Sequence, residues 1–140
     1  MSQPEGGLKG LIKMRKPYSQ TFNLQVIQAG KTVKKTFEVD KSVVVINAVA
    51  LNSNREETMY YRGSVRLEIN KDEIFSDGTS AKKIYSLPTV DATTRPYRIG
   101  TIPTGNGLIT LEYTDNEDGR TPFVPYTVSL TVDGERESDV

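Results

Sequence analysis

Polar and apolar residues alternate with a period of two along most of this chain. Phe22, Leu24 and Val26 alternate with Asn23 and Gln25. The same rhythm returns at residues 33–39, 97–102 and 108–113, and again at 125–132, where Tyr126, Val128, Leu130 and Val132 face one way and Thr127, Ser129 and Thr131 the other. A two-residue period marks half-buried strands. Residues 42–51, SVVVINAVAL, are apolar on both faces, which predicts a strand that is covered on both sides or central in its sheet. Residues 58–70 read as a strand with Val65, Leu67 and Ile69 inward and Arg66 and Glu68 on the wet face. Gly63 near its start suggests a bulge or a close backbone approach. Tyr60 and Tyr61, adjacent on such a strand, would point to opposite faces. Residues 82–87 supply a further short strand through Ile84, Tyr85 and Leu87.

Turn residues divide these segments at Ala29-Gly30, Asn52-Ser53-Asn54, Ser76-Asp77-Gly78 and Thr104-Gly105-Asn106-Gly107. About eight strands with turn signals every 8–12 residues, and no convincing helix after residue 16, predict an all-β protein. The expected form is an eight-stranded antiparallel sandwich, of jelly-roll type, carrying a flexible basic N-terminal arm. The expected divisions are an arm over 1–19, a sandwich domain over 20–133 and an acidic tail over 134–140. In the arm, Leu8, Leu11 and Ile12 fall at i, i+3 and i+4 among Lys9, Lys13, Arg15 and Lys16. Glycines 6, 7 and 10 raise the cost of ordering it. It is expected to order on a partner, through Leu8, Leu11, Ile12, Lys13, Arg15 and Lys16. Tyr60 and Tyr61 are the further candidate partner contacts, since an exposed tyrosine is a good interface anchor.

Composition narrows the chemistry. The 140 residues contain no Cys and no His. That excludes Ser-His-Asp and Cys-His catalysis, disulfides and the usual zinc sets. No catalytic residue, cofactor site or metal site is expected. Two acidic groups need separate weighing. Asp72, Glu73 and Asp77 follow the 58–70 strand, and Asp115, Glu117 and Asp118 lie in TDNEDG. Neither has the oxygen spacing of a helix-loop-helix calcium loop. A calcium loop between strands is the alternative to a solvated turn, and the turn is favoured because Asp, Asn and Gly supply its geometry. No Gly-rich phosphate loop precedes a helix, and no apolar run near the N-terminus has the form of a signal peptide, so the chain is expected to be soluble and made without export.

Net charge is zero, from 18 basic and 18 acidic residues, but it is unevenly placed. Residues 1–41 hold eight bases and three acids, and residues 112–140 hold two bases and eight acids. Mutual attraction of the two ends is one reading. Head-to-tail contact between subunits, or a basic arm on an anionic surface, is the other.

The stretches MYYRGSVRLEINKDEIFSDG at 59–78, NGLITLEYTD at 106–115 and FVPYTVSLTV at 123–132 carry a resemblance. They are similar to small single jelly-roll proteins of tailless icosahedral bacteriophages, the penton-type vertex proteins and minor capsid proteins, over roughly residues 42–132. The resemblance implies a non-enzymatic virion structural protein, assembled in the host cytoplasm, that acts by self-association and shell contacts. Its implied partners are itself, as a homo-oligomer with a pentameric ring as one form, and other capsid proteins. Membrane or nucleic acid is a further implied contact of the arm. A carbohydrate- or receptor-binding sandwich module is the alternative.

Overall fold

Strand pairing in this chain follows one rule. The computed structural model describes residues 14–85, 97–120 and 122–138. They form β1 (Met14–Val26), β2 (Thr32–Glu38), β3 (Val43–Ser53), α1 (Glu56–Arg62), β4 (Gly63–Ile69), β5 (Asp72–Ser80), β6 (Tyr97–Pro103), β7 (Leu108–Asp115) and β8 (Tyr126–Ser138). A single 3₁₀ turn, Ala81–Lys83, follows β5. First pairs with last: β1 with β8, β2 with β7, β3 with β6 and β4 with β5, all antiparallel. This is one long double ribbon folded at the β4–β5 turn. Rolling the ribbon adds β3 to β8 and β4 to β7. The result is two four-stranded sheets, ordered β1-β8-β3-β6 and β2-β7-β4-β5. That order is a jelly roll.

The core lies between the sheets and is built by the alternation described above. Leu24, Val26, Val128, Leu130 and Val132 come from one sheet; Phe37, Val65, Leu67, Ile69, Ile109, Leu111 and Tyr113 come from the other. β3 is central in its sheet, as its apolar character suggests. Ile46 and Val49 both belong to the core although three residues apart, which a regular strand forbids. Register shifts between Val43 and Val45 and between Ile46 and Ala48 supply the extra residue. Ala48 and Ala50 are buried outside the main cluster. Gly134 of β8 faces this irregular stretch, and any Cβ there would run into the Val45 carbonyl.

Four expectations are corrected. First, β1 begins at Met14 and β8 continues to Ser138, so residues 14–19 and 134–138 are paired strand and not arm and tail. The register runs from Met14↔Ser138 to Ser19↔Asp133. These segments carry charge where core strands carry apolar residues, so hydrophobic alternation does not reveal them. Opposite charge contributes to the pairing instead: Arg15 Nη1 donates to Glu135 Oε1 at 3.3 Å. The two oppositely charged ends of the chain therefore meet within one molecule. Leu8, Leu11, Ile12 and Lys13 lie outside the described residues.

Second, residues 56–62 are a helix, so Tyr60 and Tyr61 are not on a strand. Third, β5 runs through Ser76-Asp77-Gly78. The chain reverses earlier, at Asn70-Lys71, whose φ values of 53° and 68° are those of a tight hairpin turn. The acids Asp72, Glu73 and Asp77 thus lie on an edge strand. Gly78, at φ 87°, falls where the β4–β5 register shifts between Val65 and Leu67. Fourth, residues 82–85, the described part of the expected 82–87 strand, hold a 3₁₀ turn and a single bridge in place of a strand, and Leu87 lies outside the described residues. Ala81 and Ile84 fill the core from the 3₁₀ turn and the residue after it, and Tyr85 makes an isolated bridge to Leu51. No helix among the described residues is long and apolar enough to cross a membrane.

Candidate interaction surface

Odd-numbered strands finish, and even-numbered strands begin, at one end of the sandwich; the even-to-odd connections lie at the other. At the second end they are short: two residues between β4 and β5, and four each between β2 and β3 and between β6 and β7. At the first end the described residues of these connections are 27–31, 54–62, 81–85, 116–120 and 122–125. Long loops on a rigid scaffold are where binding surfaces are commonly built. Of the exposed large apolar side chains among the described residues, Ile27, Tyr60, Tyr61 and Val124 belong to these connections, and Met14 and Leu108 begin β1 and β7.

The helix α1 organises this end. Seven residues make a helix that is marginal by itself. Glu56 and Glu57 in its first turn and Arg62 in its last complement its dipole. Met59 and Arg62, three apart, form its inward face and are both buried. Arg62 is the anchor. Its Nε and Nη2 donate to Asp115 Oδ1 at 2.9 and 2.7 Å. The other Asp115 oxygen accepts from the Tyr126 hydroxyl at 2.6 Å, and the hydroxyls of Tyr126 and Tyr113 are 2.9 Å apart. Asn116 Nδ2 donates to the Arg62 carbonyl at 3.0 Å and to Ser64 Oγ at 2.9 Å. Arg62 and Asp115 are 4% and 0% exposed, so this is a desolvated ion pair held by added hydrogen bonds. Burial acts to lower the Arg62 pKa, but the bond and charge of Asp115 outweigh it and the guanidinium stays above its usual value. Burial also pushes both phenols, Tyr113 and Tyr126, well above the usual tyrosine range. Gly63 closes the arrangement. A Cβ at that position would overlap the Tyr113 hydroxyl and sit 2.8 Å from the Met59 carbonyl, so the suggested close approach is present.

With Met59 and Arg62 turned in, the outer face of α1 shows the pairs Glu56/Tyr60 and Glu57/Tyr61, each four residues apart and so on one face. The rings of Tyr60 and Tyr61 meet edge-to-face at 4.9 Å, and Tyr60 meets Tyr85 the same way at 5.5 Å. Burial, and then the charge of Glu56 and a hydrogen bond to it, raise the Tyr85 pKa. Glu56, Glu57 and Tyr61 also border an adjoining cleft of about 440 Å³, whose further lining includes Arg55, Asp118 and Arg120.

A second charged group lies midway along β4, on the outer face of the β2-β7-β4-β5 sheet. Arg66 donates to Glu68, to Glu73 at 2.9 Å and to Glu112 at 3.2 Å, across three neighbouring strands. The bond to Glu68 is the leading cause of the raised Arg66 pKa. Arg66 and Glu68 are half-exposed, as their position on the outer face requires.

Of the residues singled out from sequence, Tyr60 and Tyr61 come together on α1, with Tyr61 75% exposed. Arg15 and Lys16 are exposed on β1, near the opposite end of that strand from its junction with this surface. Asp115, grouped with the acids of TDNEDG, turns inward and is taken up by Arg62 and Tyr126, so it is the last core position of β7 and not a loop ligand. Among the described residues no three acidic side chains converge as a cation site. Arg62 carries no local sequence signal of its burial, and Tyr85 is expected only as a strand residue. A usable signal for Asp115 was its phase: it continues the series Ile109, Leu111, Tyr113.

No family model matches this chain, and no curated protein matches it. Among solved structures it is similar to one described as "Crystal structure of infectious bursal disease virus VP2 subviral particle", at 14% identity and a TM-score of 0.40. The match covers 88% of this chain and 33% of that one, so this chain spans about a third of that protein's length. The jelly-roll assignment rests on the strand order alone.

Proposed function

We propose that this chain is a non-enzymatic structural protein of a virion, a capsid penton or minor capsid component assembled in the host cytoplasm, that acts by associating with itself and with other shell proteins. The observation that carries the reading is the strand order β1-β8-β3-β6 over β2-β7-β4-β5. It agrees with the fold implied by the resemblance of residues 42–132 to phage vertex and minor capsid proteins. The mechanism is shape: a rigid sandwich whose loop end and sheet edges make repeated contacts. Fold by itself does not fix function, so the reading has to be tested in solution. Native mass spectrometry and light scattering over a range of concentrations should show closed oligomers. Locating the chain in a purified particle would give the direct answer. A monomer at all concentrations that binds glycans would favour the second reading, a carbohydrate- or receptor-binding module. The exposed Tyr60/Tyr61 pair on the loop end is the feature that favours it.

A further inference from the structure

The outer face of α1 joins its exposed tyrosines to carboxylates, a combination to which neither reading assigns a ligand. A shallow depression of about 360 Å³ is lined by Glu56, Glu57, Tyr60, Tyr61 and Tyr85. Two carboxylates and three phenol rings line it, and no base does. Tyr61 and Tyr60 are 75% and 36% exposed, so the rings are not merely a cover for the core. Interplanar angles of 82° and 72° set the rings as walls and not as a flat stack. The electron-rich faces of aromatic rings attract cations. Rings of this fold already do so elsewhere: Lys83 Nζ lies 5.6 Å from the Phe75 ring centre and 5.7 Å from that of Tyr97.

We infer that this face of α1 recognises an arginine side chain presented by a partner protein. Charge complementarity calls for a cation, and the carboxylates at the rim select among cations. A quaternary ammonium has no N–H to donate and gains most from a closed cage, whereas this depression is open. A lysine ammonium offers a point charge without a plane to stack. A guanidinium does both things the site offers: it stacks on a ring and donates in its plane to carboxylates. This inference does not depend on the virion reading, because it rests on side chains and not on the fold.

The test is an NMR titration of the full chain with N-acetylarginine amide, following the ring resonances of Tyr60, Tyr61 and Tyr85. N-acetylcitrulline amide, equal in shape and without the charge, is the control. Arginine should give saturable shifts on those three rings, and citrulline should bind about two- to fivefold more weakly or worse. Tyr61→Ser and Glu57→Gln, both at exposed positions, should each weaken arginine binding by a similar factor while leaving the melting temperature unchanged. Tyr60→Leu should weaken it too. Choline and N-acetyllysine amide are run alongside. Equal binding of arginine and citrulline, or no saturable shift on these rings, overturns the site. Tighter binding of choline than of arginine overturns the arginine assignment and points to a lipid headgroup.

Discussion

Asp115 serves Arg62 with one oxygen and Tyr126 with the other, so its loss would strand a buried guanidinium without a counter-charge. Asp115→Ala should cost about 3–5 kcal/mol in urea unfolding. Adding Arg62→Met to that variant should restore part of the loss, because the uncompensated charge is then gone. The two buried phenols set an alkaline limit. Their folded pKa values lie above the unfolded value of about 10, so their contribution is fully present below that pH and is lost as pH rises through it toward the folded values. The unfolding free energy should therefore fall above about pH 10, with a slope approaching ~1.4 kcal/mol per pH unit for each tyrosine, and the melting temperature should fall with it. Tyr113→Phe should flatten the decline. At this scale the sequence was legible where a residue type and its phase agreed, as at Val65, Leu67 and Ile69. Asp115 shows the converse. A carboxylate beside Asn, Glu, Asp and Gly looks like a turn residue, and only its distant partner Arg62, 53 positions away, makes burial tolerable.

Elements were legible to the extent that burial imposed a period on them. The inward faces of β4, β7 and the first half of β8 could be read directly from alternation. The first half of β1 and the last part of β8 could not, because their pairing extends past the core and leaves no apolar face to alternate. This difference has a measurable outcome. Removing residues 1–13 deletes none of the described strands, and melting should be close to that of the full chain. Removing 1–19 also unpairs Asp133–Ser138 from β1 and should lower the melting temperature further. Equal melting of the two truncated chains would mean that the Met14–Ser19 pairing contributes nothing. The helix α1 was hidden for a different reason. Tyr60 and Tyr61 favour strands by intrinsic preference, and tertiary anchoring through Met59 and Arg62 overrides that preference.

At the scale of the whole molecule, each sheet draws strands from both halves of the chain, so neither sheet can persist without the other half. Urea unfolding should accordingly be one transition, superimposable by tyrosine fluorescence and by far-ultraviolet circular dichroism. Separate midpoints would show that one sheet outlives the other. The nested pairing also sets an order of events during synthesis. The β4–β5 hairpin, closed by a two-residue turn, is the only one of the four pairs whose partners emerge together. Each outer pair waits for a later strand, and β8, the last of the eight, lies between β1 and β3. Until β8 emerges from the ribosome, β1 has no neighbour and β3 lacks one side. Until then the nascent chain must carry β1 without a strand partner and β3 with one edge open, exposed to association with other chains.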